Sequence, residues 1–575
     1  MPTEPERELA TFAAEIETDM IPDRVCDRVG LTVADTLGAI VAGSTDDTVD
    51  ALARRWTDGI SGGATVIGAD GGETVPPLAA LCNGAAGTVL ELDEGHRFAA
   101  GHPAIHVLPA LLADAEIGYS DSDAFVRSFV AGYEVAVRTA RTLGTLRSGY
   151  HPHGVWGAVG GAAAVARSRE LGPETTRSAM AIAANYAQHT RFEAATEGAT
   201  VRNAYAGMSN LAALVAVDQA EAGFGGLRNG VARHLEHAAA GDIDESALAA
   251  RLGDRWEIEH GYFKIHAACR YTHPALDAVA ALEAEVDPSA VESVRVETYP
   301  AAARLTEPRP RNQLQAKFSI PFAVATALLR GDSGPPAFTD EAITPEAIAL
   351  AERVTVAVDD DIAARAPEQR GARVTVETAD GRRSQEVAAP RGGEHNPFEE
   401  ARLESKFREL VAPVIGAYDA YLSADVAGES ESALEWTDPE VVLRLGASPT
   451  SKDLRKYLAG TGADQYQVDP AGRWREAEFA ATDLVVAEPS RLCARLSRLV
   501  GGGGGDPDWR AQWEEADRAA RAIHGRGREA TGSEGEDALH DSPDSASFHE
   551  GDVLRAVTDA LPDPATLFVS NSMPV

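Results

Sequence analysis

The chain of 575 residues is too long for one ordinary core, so we expect two to four domains. Its 89 acidic and 52 basic residues give a formal net charge of -37, which argues against nucleic acid or an anionic membrane as partner. The longest apolar runs are too short to span a membrane, and the acidic start MPTEPERELATFAAEI is unlike a secretory signal. We therefore expect a cytoplasmic globular protein.

Positive charge is carried almost wholly by arginine, and the lysines are Lys264, Lys317, Lys406, Lys452 and Lys456. Much Asp and Glu with little Lys is typical of a salt-adapted protein. The acidity also poses a question, because an anionic substrate would need a locally cationic pocket. The cysteines match no metal-ligand spacing, so free thiols are expected; they are Cys26, Cys82, Cys269 and Cys493.

Residues 6–60 and 76–265 have apolar positions at helical spacing and are dense in Ala and Gly. They predict an all-α domain over residues 1–273. The pattern then changes: residues 291–299, 353–359, 372–379 and 382–389 alternate like half-buried strands, with a hairpin signal at Asp380-Gly381. A single helix is predicted over 316–332. Residues 274–390 are therefore interpreted as an α+β domain.

A third pattern begins near residue 417. Strand-like and helix-like segments alternate over 417–500, which predicts a small Rossmann-like α/β domain with a parallel sheet. Residues 501–505 are five glycines and predict a linker, 509–525 a helix, and 530–548 a disordered acidic segment. Residues 549–575 predict a helix and a strand.

The segment ELDEGHRFAAGH places Glu91, Asp93, Glu94, His96 and His102 within twelve residues. Carboxylate–imidazole pairs can abstract and return protons near neutral pH. The alternative interpretation is that the glutamates are helix-end charges and His96 a surface residue. A metal site is weakly indicated, because the two histidines of this segment do not have i, i+4 spacing.

Three further clusters contain polar groups suited to acids. The loop GYHPHG contains His151 and His153, which are otherwise ordinary loop polar residues. The segment 200–207 contains Arg202 and Tyr205. The most cationic short segment, FKIHAACRYTH, contains the residues Lys264, His266, Arg270 and His273. Arginine recognises carboxylates in bidentate fashion, whereas lysine acts as a point charge.

These segments occur in an order that resembles the MmgE/PrpD (2-methylcitrate dehydratase) family over residues 6–416. The match rests on ADTLGAIVAGS, ELDEGHRFAAGHPAIHVLPALLA, GYHPHGVWGAVGGAAAVA, CRYTHPALDA, AKFSIPFAVATALL and EHNPFEEARLESKFRELVAPVIG. The resemblance implies a helical domain with an α+β lid, residues 391–416 returning to the helical domain, and a homodimer. It also implies a site in the cleft between domain and lid that works without metal or organic cofactor.

The resemblance also implies roles for single residues. Asp93, His102, His151, Tyr205 and Lys264 would be catalytic. The substrate-binding residues would be Glu91, His96, Arg202, Arg270 and His273. Departures from the family pattern are Gly95 in place of a threonine, Arg202 and Tyr205 in place of Lys and His, and Phe322 at a phenol position.

The expected activity is therefore a metal-free hydro-lyase that removes the proton next to a carboxylate of a small di- or tricarboxylic acid, as in propionate metabolism. Arg202, Lys264 and Arg270 would hold carboxylates, and His102 or His151, oriented by Asp93, would move the proton. Epimerisation or decarboxylation by the same chemistry stays open. So does a non-catalytic chimera whose C-terminal module only mediates interactions.

Residues from about 415 to 575, from VIGAYDAYLSADVA to FVSNSMPV, resemble a different family. This is the thiamine-diphosphate enzyme 2-succinyl-5-enolpyruvyl-6-hydroxy-3-cyclohexene-1-carboxylate synthase of menaquinone synthesis. The resemblance covers its central domain and, over 549–575, the start of its cofactor domain. The family's cofactor-activating Glu and diphosphate motif have no counterpart here, so we expect this part to be inactive.

Overall fold

The computed structural model describes residues 4–415, apart from 61, 69–71, 119–120, 189, 283 and 285. It further describes residues 441–445, 458, 463–469, 481–487, 492 and 569–571. The chain divides into two compact units, Met1–Val414 and Ile415–Val575. Among the helices in these ranges, none is both long and apolar enough to cross a membrane.

Helices form most of the first unit up to residue 282. They are α1 (Pro5–Glu15), α2 (Asp23–Gly43), α3 (Asp47–Thr57), α4 (Pro76–Val89), α5 (Pro103–Gly118), α6 (Ser122–Thr142), α7 (Pro152–Val155), α8 (Gly157–Ser168), α9 (Pro173–Asn185), α10 (Glu193–Thr196), α11 (Tyr205–Glu221), α12 (Gly230–Leu235) and α13 (His273–Leu282).

Small residues let these helices pack backbone against backbone. A Cβ atom on Gly84 of α4 would lie 2.7 Å from the Cα of Gly207 in α11, and one on Gly160 of α8 would lie 2.5 Å from the Cβ of Ala136 in α6. Such close packing excludes larger side chains. This accounts physically for the density of Ala and Gly in the sequence.

Two short antiparallel pairs interrupt the helices, although the sequence of this half shows almost no strand pattern. They are β1 (Ala64–Val66) with β2 (Gly72–Thr74), and β3 (Gly95–His96) with β4 (Gly261–Tyr262). Gly95 pairs with Tyr262, and His96 with Gly261. The second pair joins the acidic loop after α4 to the cationic segment that begins at Phe263.

The α+β part contains a four-stranded sheet in the order β6-β5-β7-β8. Its strands are β5 (Val291–Thr298), β6 (Val354–Val358), β7 (Ala372–Thr378) and β8 (Gly381–Val387), and its helices are α14 (Gln313–Lys317), α15 (Ile320–Arg330), α16 (Pro345–Ala351) and α17 (Asp360–Ala364). The β5/β6 pair is parallel and the other two are antiparallel. Gly381, with φ of 125°, closes the predicted hairpin.

The prediction of one helix over 316–332 is wrong in one respect. The structure has two helices with a break at Phe318 and Ser319. The Ser319 hydroxyl accepts a hydrogen bond from the Phe322 backbone N–H at 3.0 Å, and Pro321 occupies the first turn of α15. Both are helix-start signals within an otherwise continuous apolar pattern.

The first unit ends with α18 (Glu400–Ile415), which packs on α2. A Cβ atom on Gly38 would lie 3.1 Å from the Phe407 ring. The Lys406 ammonium donates to Asp35 Oδ1 at 2.6 Å. The chain thus returns to the helical part after the sheet.

In the second unit, described residues form a sheet in the order β11-β10-β9-β12, with every pair parallel. The strands are β9 (Val441–Leu445), β10 (Asp464–Val468), β11 (Asp483–Val485) and β12 (Val569–Asn571). Strands and parallel pairing agree with the sequence pattern, and the assignment as Rossmann-like stays a prediction. The predicted linker at 501–505, the helix at 509–525, the acidic segment at 530–548 and the helix after 549 lie outside the described residues.

Candidate functional site

The site is organised around the turn that follows α4. Glu91 has φ of 56°, a left-handed conformation that costs energy for a residue other than glycine. Its buried carboxylate is held on both sides, by an ion pair with Arg202 and by Lys264 Nζ at 3.3 Å. The strained turn is therefore fixed by charges that arrive from distant parts of the chain.

Lys264 uses all of its hydrogen-bonding capacity in this turn. Its ammonium group donates to the Glu91 carbonyl at 3.1 Å, to Glu91 Oε2 at 3.3 Å and to Asp93 Oδ1 at 3.2 Å. An ammonium group has three N–H donors, so none is left for a substrate. The side chain is 0 % exposed.

Both members of this ion pair stay charged at neutral pH. Burial alone would raise the pKa of Glu91, but Arg202 and Lys264 outweigh it and lower that pKa to about 2. Burial likewise opposes the charge on Lys264, yet Asp93 and Glu91 outweigh it and raise its pKa. Glu91 and Lys264 therefore carry fixed charges and do not exchange protons with a substrate.

His102 is the imidazole with a free acceptor nitrogen. Its Nδ1 lies 2.7 Å from the Glu94 carbonyl oxygen and 3.5 Å from Asp93 Oδ2. Since a carbonyl can only accept, Nδ1 carries the proton and Nε2 is bare in the neutral ring. Burial lowers the pKa of His102, so the ring is neutral near pH 7.

His102 belongs to a cluster of buried imidazoles centred on His153. The His153 ring lies 4.8 Å from His102, 4.8 Å from His151 and 5.1 Å from His106, measured between centroids. Burial lowers the pKa of His151 and His153 well below the usual value and that of His106 to about 3. The cluster adds no positive charge to the site at neutral pH.

Hydrogen bonds fix the tautomers of this cluster. Arg202 Nη2 donates to His153 Nε2 at 3.4 Å, so the proton of His153 lies on Nδ1, which contacts His106 Nε2 at 3.2 Å. His151 Nδ1 accepts the His153 backbone N–H at 3.3 Å, which leaves the proton of His151 on Nε2. His102 and His151 therefore present opposite groups, a bare nitrogen and an N–H.

These groups adjoin a cavity of about 550 Å³. Its charged lining contains one acid, Glu91, and otherwise arginine. Arg202 and Arg270 are buried at its inner end; the others, hereafter the outer arginines, are partly or fully exposed, and they are Arg97, Arg141, Arg147, Arg304 and Arg370. A chain with 89 acidic residues thus forms a cationic cavity, which answers the question posed by its composition.

The structure divides the predicted site residues into two groups. Those that line the cavity are Glu91, His102, His151, Arg202 and Arg270. Those that do not are Asp93, His96, Tyr205, Lys264 and His273. Members of the second group contact the first: Asp93 lies beside His102, and the Tyr205 ring meets the His151 ring edge-on at 5.7 Å.

His96 forms hydrogen bonds with backbone groups, and His273 forms hydrogen bonds with the backbone and with Arg270. His96 is fully buried, accepts the Ala99 N–H and donates to the Glu257 carbonyl at 3.1 Å, so its interpretation as a surface residue is wrong. His273 donates to the Ala268 carbonyl and accepts from Arg270 Nη1 at 3.2 Å. Burial lowers the pKa of Arg270 to about 10.

Sequence reasoning missed Tyr262, which lines the cavity under the Arg270 guanidinium, 4.4 Å from the ring centroid. A Cβ atom on Gly95 would lie 2.5 Å from the Tyr262 hydroxyl oxygen. Gly95 therefore makes room for this phenol. Phe322, at the family's phenol position, is buried against Phe338, whereas Phe318 lines the cavity beneath Arg202.

One set of described side chains has the spacing of metal ligands: Asp93, His102 and His153. Lys264 contacts Asp93 at 3.2 Å, and Arg202 contacts His153 at 3.4 Å. Two adjacent cations would repel a metal ion from this set. The donor set therefore fits a metal poorly.

Comparison with known families gives two matches along this chain. The MmgE/PrpD N-terminal domain matches residues 7–235, and the MmgE/PrpD C-terminal domain matches residues 266–426. Of the cavity-lining residues named above, all except Tyr262 fall within these ranges.

Curated relatives of a second kind match a smaller part of the chain. They are named 2-succinyl-5-enolpyruvyl-6-hydroxy-3-cyclohexene-1-carboxylate synthase. The protein from Halorubrum lacusprofundi is 76% identical over 168 residues, which is 29% of this chain and 26% of that protein. The protein from Haloquadratum walsbyi is 46% identical over 178 residues, 28% of each chain.

A third such relative, from Haloarcula marismortui, is 42% identical over 180 residues, 31% of this chain and 26% of that protein. The chain spans about a quarter of the length of these curated relatives. Both resemblances expected from the sequence are thus confirmed. Together they are consistent with a chimera.

Proposed function

Because residues 7–235 and 266–426 of this chain belong to the MmgE/PrpD family, we propose that its first unit is an enzyme that removes the proton next to a carboxylate of a small di- or tricarboxylic acid. The proposed reaction is dehydration. The observation that carries the proposal is a neutral His102, with a bare Nε2, at the buried end of a cavity lined by Arg202 and Arg270.

His102 is the proposed general base. Its Nε2 takes the α-proton of the substrate, and the imidazolium that forms lies 3.5 Å from Asp93 Oδ2, which stabilises the new charge. Asp93 Oδ2 has no other hydrogen-bond partner among the described residues. The carboxylate is therefore free to strengthen this contact as charge develops.

Arg202 and Arg270 are the proposed carboxylate ligands at the inner end. Removal of the α-proton places a second negative charge on the substrate carboxylate, and the buried guanidinium groups stabilise that charge. Arg270 is held by the carbonyls of Arg391 at 2.8 Å and Pro390 at 3.2 Å. Since these acceptors are neutral, the positive charge of Arg270 is available to the substrate, whereas that of Arg202 is shared with Glu91.

Departure of the β-hydroxyl group completes the reaction. The carbon–oxygen bond breaks, and the hydroxyl leaves as water with the proton that His102 took from the α-carbon. His151 Nε2–H can donate a hydrogen bond to this leaving oxygen. Lys264 is a positioning residue in this scheme, because its ammonium group is fully used by Glu91 and Asp93.

Elimination is favoured over epimerisation by the tautomer of His151. Epimerisation by two bases needs a bare nitrogen on each face of the substrate. His151 accepts a backbone hydrogen bond at Nδ1 and has its proton on Nε2, so it can donate but not abstract. Epimerisation and decarboxylation of the same substrate class are the competing activities.

The test is turnover by the full chain of citrate, 2-methylcitrate and cis-aconitate in molar KCl. A rise in ultraviolet absorbance from a conjugated product, with incorporation of solvent deuterium at the α-carbon in the reverse direction, is expected. Loss of optical rotation without absorbance change would indicate epimerisation, and release of carbon dioxide would indicate decarboxylation. No turnover and no deuterium exchange with any acid would contradict the proposal.

A further inference from the structure

The exposed end of the cavity carries a second concentration of positive charge that the proposed reaction does not use. The outer arginines, Arg97, Arg141, Arg147, Arg304 and Arg370, lie beyond the buried residues that surround His102. No acidic residue lines the cavity beside them, since Glu91 lies at the inner end. In a chain of net charge -37 this local excess needs an explanation.

The charges of three outer arginines are not neutralised by carboxylates of the described residues. Arg147 Nε donates to the Ala239 carbonyl at 2.7 Å, and Arg370 Nη2 donates to the Arg97 carbonyl at 2.7 Å. Arg304 is exposed on a short turn of helix, and Glu193, the carboxylate with which its charge interacts, is itself paired with Arg191 at 2.9 Å. A guanidinium group whose hydrogen-bond acceptors are neutral keeps its positive charge available for an anion.

The remaining two outer arginines each have a carboxylate partner, Arg97 with Glu394 at 3.3 Å and Arg141 with Glu257 at 3.2 Å, and they share an aromatic support. The Arg97 guanidinium lies 4.5 Å, and the Arg141 guanidinium 5.4 Å, from the centroid of the Phe98 ring. Because Arg370 donates to the Arg97 backbone, these three side chains converge on one side of the cavity. Stacking restricts their motion and lowers the entropy cost of binding a ligand.

Long-range attraction of substrate does not account for this arrangement. The acid-rich, lysine-poor composition is that of a protein adapted to high salt, and at 1 M salt the screening length is only about 3 Å. Exposed charges then act on a ligand only in direct contact. The outer arginines are therefore suited to binding an anion rather than to guiding one.

The size of the cavity also exceeds what the proposed reaction requires. A tricarboxylic acid of about 14 non-hydrogen atoms would fill about 420 Å³ even at the roughly 30 Å³ per heavy atom of liquid water. The cavity holds about 550 Å³. A citrate-type acid bound at His102 would therefore leave part of the cavity unfilled.

We propose that the outer arginines form a second anion subsite, which binds a carboxylate or phosphate group at the far end of a substrate longer than citrate. The binding of the inner end of this substrate rests on the proposed function, whereas the outer subsite is inferred from the arginines alone. The substrate class is then an acid with its reacting carboxylate at one end and a separate anionic group at the other.

The experiment is titration calorimetry of the full chain at constant ionic strength in molar KCl. Inorganic phosphate probes the outer subsite, and propane-1,2,3-tricarboxylate probes the inner end. Arg147→Gln/Arg304→Gln, at two exposed positions, should weaken phosphate binding about tenfold and leave tricarboxylate binding within about threefold. Arg295→Gln, an exposed arginine of β5 away from the cavity lining, is the matched control and should change neither.

Phosphate and tricarboxylate should also bind together, so that saturation with one leaves the affinity for the other within about threefold. Equal phosphate affinity in wild type and Arg147→Gln/Arg304→Gln, or full competition between the two probes, would overturn the outer subsite. Arg304→Gln alone serves if the double variant is unstable. Acetate in place of phosphate separates a carboxylate-binding from a phosphate-binding subsite.

The same titrations separate this inference from the proposed function. Phosphate binding that depends on the outer arginines, without any tricarboxylate binding to the wild type, would retain the outer subsite and contradict the proposed function. If the wild type binds tricarboxylate and its phosphate affinity does not depend on the outer arginines, the proposed function is retained and the outer subsite is contradicted.

Discussion

Lys406 Nζ donates to the carbonyl oxygen of Leu92 at 2.8 Å, across 314 residues of sequence. The two other lysines in the described residues make the same kind of bond to the same turn: Lys317 to the Val89 carbonyl at 2.9 Å and Lys264 to the Glu91 carbonyl at 3.1 Å. All three are buried. In a chain that otherwise uses arginine, these three carbonyls are bound by the compact ammonium group of lysine.

We expect Lys406→Met to destabilise the first unit strongly. The substitution leaves the buried Asp35 carboxylate without its partner at 2.6 Å and the Leu92 carbonyl without a donor. Removing one member of a buried pair costs about 3 to 5 kcal/mol. Thermal unfolding should show a lowered midpoint that Asp35→Asn/Lys406→Met partly restores. An unchanged midpoint would show that α18 does not support the turn.

Lys264→Met should be more damaging than Lys317→Met. Lys264 compensates two buried carboxylates, so its loss costs about 3 to 5 kcal/mol. Lys317 donates to two neutral oxygens, and burial lowers its pKa to about 8, so its loss costs about 1 to 3 kcal/mol. Thermal midpoints and turnover measured side by side check this order. Equal, mild effects on turnover would rule out the role of Lys264.

His102→Asn should reduce turnover by about 10² to 10⁴, the usual contribution of a general base. The asparagine keeps a donor towards the Glu94 carbonyl, so the fold should persist, with an unchanged circular dichroism spectrum. The matched control is His237→Asn, at an exposed position. A tenfold or smaller loss would move the general base to another residue.

Gly95→Ala should displace the Tyr262 ring, because the new methyl group would lie 2.5 Å from the phenol oxygen. Overpacking of this kind costs about 1 to 3 kcal/mol. Tyr262→Ala removes the obstacle, so the cost of Gly95→Ala should nearly vanish in the double variant. A double-mutant cycle on thermal stability measures this coupling. Additive effects would show that the two residues do not share space.

His106 should make the first unit less stable in acid. In the unfolded chain its pKa is near 6.5, whereas burial lowers the folded pKa to about 3. Between these values only the unfolded state binds the proton, so stability rises with pH from about 3 to 6.5 and is flat above. The total is on the order of 5 kcal/mol.

His106→Asn should therefore flatten the dependence of the unfolding midpoint on pH below 6.5, relative to wild type and to His237→Asn. Glu94 acts in the opposite direction. Burial raises its folded pKa from 4.5 to about 8, so its contribution to stability is lost as pH rises through that range. A slope that His106→Asn leaves unchanged would assign the acid sensitivity to other groups.

Most helices of the first unit, and the strands of its four-stranded sheet, follow from hydrophobic periodicity. β5, β7 and the hairpin at Gly381 lie where alternation and the Asp-Gly turn place them. The break between α14 and α15 was missed, because a serine cap and a proline are weak signals inside an apolar run. The short β3/β4 pair was missed as well, because two residues are too few to show a period.

The proposed acid–base residues were visible because they cluster in the sequence. Asp93 and His102 lie nine positions apart and meet within one loop. His106 and Tyr262 carried no such signal: one lies on an apolar helix, and the other precedes the cationic segment. Glycine at position 95 was the available hint for Tyr262, since a missing side chain leaves space for another.

The sequence by itself determined the chemical inventory: the acidic loop, the histidine pairs, the arginines and the rare lysines, with the two families that they resemble. Only the tertiary structure decided which of these groups face the cavity. The Lys264 ammonium group donates all three of its N–H groups to Glu91 and Asp93, whereas Arg202 and Arg270 line the cavity. The physical reason is that a buried charge must be compensated on all sides, and its partners come from segments that only the fold brings together.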